Sequence, residues 1–127
     1  MSGLYARMLE QNPKLVYPTL EKWNFAKNPW LRRLSIVSLL YYSAQREKIL
    51  PFAKIIVLLE PQLEFDHYYV QKGVGWTLRE AGNIYPAETY SYLEKNIQRI
   101  SAHAFSAATE KLTKPKKDKL KKLRARR

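Results

Sequence analysis

Cysteine is absent from the 127 residues, which excludes disulfides, thiol catalysis and thiolate metal sites together and leaves the compartment open. Histidine occurs only as His67 and His103, far apart and without acidic partners at ligand spacing, so no metal is expected. No nucleotide cofactor is expected either, because Gly73-Val74-Gly75 lacks the third glycine and the preceding strand of a dinucleotide fingerprint. A long apolar run is missing too. The longest nearly apolar stretch, Leu34 to Tyr42, is too short for a bilayer and contains two serines, and no signal-peptide pattern opens the chain. The expectation is a soluble cytoplasmic protein that does not enter a membrane. No segment sustains an apolar–polar alternation of period two, so no sheet is expected.

Basic charge is abundant. Twenty-three lysines and arginines face eleven acidic residues, a formal net charge of +12, and the excess is concentrated at one end. Residues Lys111 to Arg127 hold ten of the basic residues and a single aspartate, so the rest of the chain is only mildly basic. KPKKDKLKKLRARR reads as the frayed end of a last helix followed by a flexible arm, residues 113–127. Lys116, Lys117, Lys119, Lys121, Lys122, Arg124, Arg126 and Arg127 would bind nucleic acid without sequence preference, through counterion release. RNA, acidic lipid headgroups or the ribosome suit such an arm equally, and plain solvation accounts for it without a partner.

Residues 1–112 have room for one small domain with a modest core. Helix signals recur at about 3–11, 14–27, 29–43, 49–60, 66–81, 86–98 and 101–112, with Pro13, Pro29, Pro51 and Pro86 at or near starts. Pro18 kinks the second helix unless that helix begins there. Trp30-Leu31-Arg32-Arg33 aligns with Tyr69-Val70-Gln71-Lys72 at a shift of thirty-nine residues. Helix pairs at that period suggest an all-α, HEAT-like solenoid of about three pairs. Leu4, Leu9, Leu15, Val16 and Leu20 are candidates for an exposed apolar face that would promote self-association.

Two strings carry candidate chemistry. In YVQKGVGWTLRE, Lys72 and Trp76 stand one helical turn apart beside Gly73 and Gly75, each of which costs a helix about 1 kcal/mol relative to alanine. Bare backbone admits either a close helix or a nucleic-acid strand, and a cation beside an aromatic suits a phosphate and a sugar or base. Asp66 is the expected cap of that helix, with Gly82 and Asn83 ending it in a left-handed turn. In NPWLRR, Asn28 and Pro29 read as cap and first residue, and Arg32 and Arg33 follow in the first turns of a helix that is apolar nearly all round. Arginine beside a helix N-terminus suits phosphate, while a salt bridge to a glutamate such as Glu21 would also account for it. Of the nine tyrosines most read as packing, with Tyr68 or Tyr69 able to reach a ligand. Trp23 fits a buried repeat contact, and Trp30 the rim of a DNA-facing surface.

NPWLRR with its apolar helix, then YVQKGVGWTLREAGNIYP, then RISAHAFSAATEKL, resembles the C-terminal two thirds of AlkD-like DNA alkylation repair proteins, which are HEAT-like-repeat DNA glycosylases. The resemblance spans about residues 4–112, and QK-G-x-GW-x-LRE is its specific part. It implies a basic concave face that grips alkylated double-stranded DNA and releases N3- or N7-alkylated purines. By similarity Arg33 contacts DNA near the lesion and Trp76 packs on the nucleotide's sugar and backbone. Helical geometry adds Lys72, and Arg32 and Arg79 complete the candidate set. The family's catalytic aspartate belongs to a segment upstream of the one matching Leu4 to Lys27, so the resemblance is to a C-terminal portion and assigns no catalytic residue here. Glu80 is on the right helix to substitute, but next to Arg79 it suits a surface salt bridge better. An active glycosylase, and a helical scaffold for a protein partner with nucleic-acid affinity from its tail, are the alternatives.

Overall fold

The computed structural model describes residues 13–40 and 51–125. It is all-α among those residues: α1 (Pro13–Asn24), α2 (Pro29–Leu40), α3 (Phe52–Leu59) with a 3₁₀ turn (Glu60–Gln62), α4 (Tyr68–Ile84), α5 (Pro86–Asn96), α6 (Ala102–Ala108) and α7 (Lys114–Ala125). The helix expected at 3–11, with Leu4 and Leu9, lies outside the described residues, as do Arg126 and Arg127.

Local chemistry sets the helix starts. The Asn28 side chain accepts from the Trp30 amide at 2.9 Å ahead of Pro29, and Ser101 Oγ accepts from the Ala104 amide at 3.2 Å ahead of α6. Helix α1 continues from Pro13 through Pro18 to Asn24, so Pro18 does not start it. Helix α4 departs from expectation at both ends. Asp66 is exposed and the residue before the helix is His67, in an extended conformation with no side-chain cap. Gly82 and Asn83 continue the helix to Ile84. The terminator is Pro86, which biases the preceding Tyr85 away from helical geometry (φ −125°, ψ 66°).

Helices α2, α4 and α6 pack side by side. Helix α4 is central, with α2 on one flank and α6 on the other, while α1 and α3 back α2, α5 backs α4, and α7 packs on α5. This is a HEAT-like arrangement. One continuous core joins Leu20, Ile36, Leu39, Ile55, Leu58, Leu78, Leu93 and Leu120. Val16 and Leu20 are buried in it, so they do not form the exposed apolar face expected of the first helices. Trp23 packs against the same core.

A buried polar chain ties the repeats together. Asn24 Nδ2 donates to Ser35 Oγ (2.9 Å) and to the Leu58 carbonyl (2.7 Å), and Gln62 Nε2 donates back to the Asn24 carbonyl (2.7 Å). Gln71 Nε2 then donates to the carbonyls of Gln62 and Phe65, and Ser101 Oγ donates to Gln71 Oε1, each at 2.8 Å. Buried polar groups paired this way fix register rather than weaken the core.

Residues 114–125 are not an arm. They form α7, with Leu120 fully buried and Leu123 packed on the core. The Arg124 guanidinium donates to the carbonyls of Ile97 and Ile100 and lies 5.1 Å from the Phe105 ring centre. Gln98 Nε2 donates to the Leu123 carbonyl at 2.9 Å, and Lys119 pairs with Glu94 at 3.2 Å. The physical reason is that Lys, Leu and Arg are good helix formers, and two leucines three residues apart suffice to dock a helix whose lysine stems reach outward.

Candidate nucleic-acid interface

The thirty-nine-residue shift is visible in atomic contacts. Arg32 Nε donates to the Ala26 carbonyl at 2.6 Å, and its counterpart Gln71 donates to the carbonyl of Phe65, the counterpart of Ala26. Arg32 also reaches Gln62 Oε1 at 3.4 Å and lies 4.0 Å over the Phe65 ring. Arg32 and Gln71 therefore brace the turns that precede their helices, and the Arg32 guanidinium is held within the fold rather than presented outward.

Arg33 and Lys72 are the next equivalent pair, and they differ from their neighbours. The Arg33 stem crosses Gly73, where an added Cβ would lie 3.1 Å from Arg33 Cγ. Its Nε is buried with no hydrogen-bond partner. No ion pair to Glu21 or another carboxylate holds it among the described residues. Lys72 is exposed, and its Nζ sits 5.2 Å from the centre of the Tyr68 ring. The two glycines face opposite ways. Gly73 admits the Arg33 stem and Val37 of α2, while Gly75 lies against α6, where a Cβ would meet the Ala104 carbonyl oxygen and Ala107 Cβ at 2.8 Å each. Both glycines serve close packing of α4, one on each flank.

Between α4 and α6 runs a groove of about 550 Å³, lined by Tyr68, Lys72, Trp76, Arg79, His103 and Glu110 among others, and Lys117 of α7 reaches its wall. Trp76 is half-buried against the core with an edge in the groove. Arg79 is ion-paired, to Glu110 at 3.0 Å and to Glu80 at 3.3 Å. Glu80 also accepts from Asn83 Nδ2 at 3.4 Å, so its carboxylate is engaged within α4. Asp66 lines a different cavity of about 390 Å³, shared with Glu64, Arg99 and Arg124, where carboxylates balance the cations.

Of the basic-segment residues, Lys117 lines the groove, Lys121 and Lys122 are exposed, Lys116 lies over Tyr90 at 5.6 Å, and Lys119 and Arg124 are engaged within the fold. Among the described residues no three His, Asp or Glu side chains gather as a metal site, and no helix is long and apolar enough to cross a membrane. Above the groove, Trp30, Tyr68 and Tyr69, which the sequence flags only singly, lie together as exposed rings. His103, in the sequence no more than a lone histidine, joins that surface against Tyr68. Trp30 and Tyr69 are repeat equivalents, and that equivalence was the available signal.

Helix pairs stacked in this way define the HEAT-like helical-repeat class. Residues 1–112 match the family described as DNA alkylation repair enzyme, and the chain belongs to that family. No curated protein and no solved structure matches it.

Proposed function

We propose that the surface formed by α2, α4 and α6 binds double-stranded DNA carrying an alkylated purine. The observation that carries this reading is Arg33, a guanidinium that no carboxylate pairs with among the described residues, with the exposed Lys72 at the equivalent position of the next repeat, in a chain of the DNA alkylation repair family. A phosphate would pair the Arg33 charge, which no carboxylate of the described residues holds, and the guanidinium is shaped for bidentate contact; its buried Nε is reached only if the side chain shifts outward. Lys72 then holds a neighbouring phosphate, and Trp76 supplies an apolar wall for the sugar and backbone of the damaged nucleotide. Arg79 becomes available only as phosphate competes with Glu110. Arg32 is excluded from the contact set because its guanidinium is braced internally.

Release of an alkylated purine needs little beyond a carboxylate near the sugar, because the base already leaves as a cation and the sugar develops oxocarbenium character. Glu80 is engaged within α4, Asp66 lines a separate cavity and Glu110 is ion-paired to Arg79, so none of the three is assigned a catalytic role and lesion binding is the part of that activity proposed here; the order of the three matching strings supports reading them as the C-terminal part of the family's fold. The test is fluorescence anisotropy of the full chain on duplexes with and without one N7-methylguanine. Arg33→Ala should weaken binding roughly 10- to 100-fold, the value of a charge-assisted hydrogen bond. Arg32→Ala should instead lower the unfolding temperature. Unchanged affinity in a folded Arg33→Ala protein would sink the reading.

A further inference from the structure

Five large apolar or aromatic side chains among the described residues are strongly exposed, and three of them, Trp30, Tyr68 and Tyr69, occupy one place. Trp30 of α2 stacks on Tyr69 of α4 at 5.0 Å between ring centres, tilted by 32°. Tyr69 meets Tyr68 at 5.0 Å, and Tyr68 meets His103 of α6 edge-on at 5.0 Å. His67 closes the cluster, 6.0 Å from Trp30 and 6.2 Å from Tyr69. The result is an unbroken ribbon of rings crossing all three helices of the layer. Each ring lies against the next, so the ribbon is already assembled without a ligand.

Core packing does not account for it. Trp30, Tyr68 and Tyr69 keep about half their surface in water (55%, 48% and 46%), and solvent exposure of that much aromatic area is unfavourable unless something covers it. The charge around the ribbon selects what does. Lys72 stands over Tyr68, and Arg33 follows Trp30 by one turn of α2, so the ribbon is edged by cations and no carboxylate pairs with either among the described residues. Aromatic faces bordered by such cations fit a ligand that alternates flat apolar rings with negative charge. In duplex DNA the base faces are covered by their neighbours. Only an unpaired strand offers bare base faces and a phosphate at every step.

We infer that the Trp30–Tyr69–Tyr68–His103 ribbon is a stacking platform for unpaired nucleotides, a single-strand site that borders the duplex contacts of Arg33 and Trp76 and shares Lys72 with them. It does not depend on recognition of an alkylated base. Bases stack on Trp30 and the two tyrosines, Lys72 holds the backbone, and the site tolerates any sequence because every base has a π-face. In a repair setting it would hold a strand locally opened beside the bound duplex.

The test uses the full chain and undamaged ligands: labelled oligothymidylate, oligouridylate, and a duplex of the same length. Oligothymidylate should quench tryptophan fluorescence, and Trp30→Phe should remove most of that quenching. The Trp30→Ala/Tyr69→Ala variant removes two rings that stack on each other and should lose roughly 10- to 100-fold in single-strand affinity, the value of one stacked base at about 1–3 kcal/mol, with duplex affinity unchanged. Val57→Ala, an exposed apolar residue outside the ribbon, should change neither. Tighter binding of oligouridylate, equally sensitive to the double substitution, would support the platform with RNA as its source of unpaired bases. Wild-type oligothymidylate affinity in the double variant overturns it. So does an equal loss on duplex, which would make the ribbon part of the duplex surface. Ribbon-dependent binding to phosphatidylglycerol vesicles without oligonucleotide binding overturns it in favour of a lipid surface. Because no ligand carries a lesion, none of these results depends on the alkylated-duplex reading.

Discussion

Gly73 and Gly75 look alike in the sequence, and the structure makes them unequal. An added methyl at Gly75 would press on the Ala104 carbonyl, which is backbone and cannot step aside without parting α4 from α6. Gly75→Ala should lower stability by about 1–3 kcal/mol, read as a shift of the denaturant midpoint. At Gly73 the nearest atom is the Arg33 stem at 3.1 Å, which can yield, and the gain in helix propensity is about 1 kcal/mol. Gly73→Ala should leave stability near wild type while displacing Arg33, so its signature is weaker DNA binding. Tyr92 offers a pH test. Burial, then the charge of Glu60 and the hydrogen bond to it (3.2 Å), raises the Tyr92 hydroxyl well above its usual 10.0. The fold therefore favours protonated Tyr92, and its contribution is complete below pH 10.0 and fades as pH climbs through the raised value. Tyr92→Phe should flatten part of the alkaline fall in stability measured by chemical denaturation. Single letters also failed to separate Arg32 from Arg33. The two differ by about 100° around α2, and only their neighbours show that one braces a turn and the other has a donor to spare.

Helix α7 is the element that matters most for experiment. Its dense charge reads as a solvated arm, yet Leu120 is fully buried and Arg124 caps the carbonyls that end the 97–100 turn. Leu120→Ala should cost about 2–5 kcal/mol by the cavity it leaves, visible in equilibrium unfolding. A true arm would show no change. Removing residues 113–127 to isolate the repeats would strip the same packing, so a failure to bind DNA in such a truncation would report unfolding as much as missing charge. Helix α4 was legible in type and in its charged face. Its ends were not, because the proline at 86 outweighed the glycine–asparagine pair, which in isolation is the stronger stop signal.

For the molecule as a whole, DNA affinity should divide into a placed part and a diffuse part. Lys121 and Lys122 are exposed on α7. Replacing both with alanine should reduce the slope of log affinity against log salt by about 0.9 for each phosphate that is no longer neutralised, with discrimination of methylated from unmethylated duplex unchanged. A change in discrimination would mean that α7 touches the lesion. The sequence by itself determined the all-helical fold, the repeat of thirty-nine residues and the family, because apolar periodicity, proline placement and the QK-G-x-GW-x-LRE string are local properties of the chain. Tertiary structure alone decided which arginine is free, which way each glycine faces, that the basic segment docks, and that Trp30, Tyr69, Tyr68 and His103 form one ribbon. Those outcomes depend on side chains from different helices meeting in space, and the distances that decide them are set only when α2, α4 and α6 pack together.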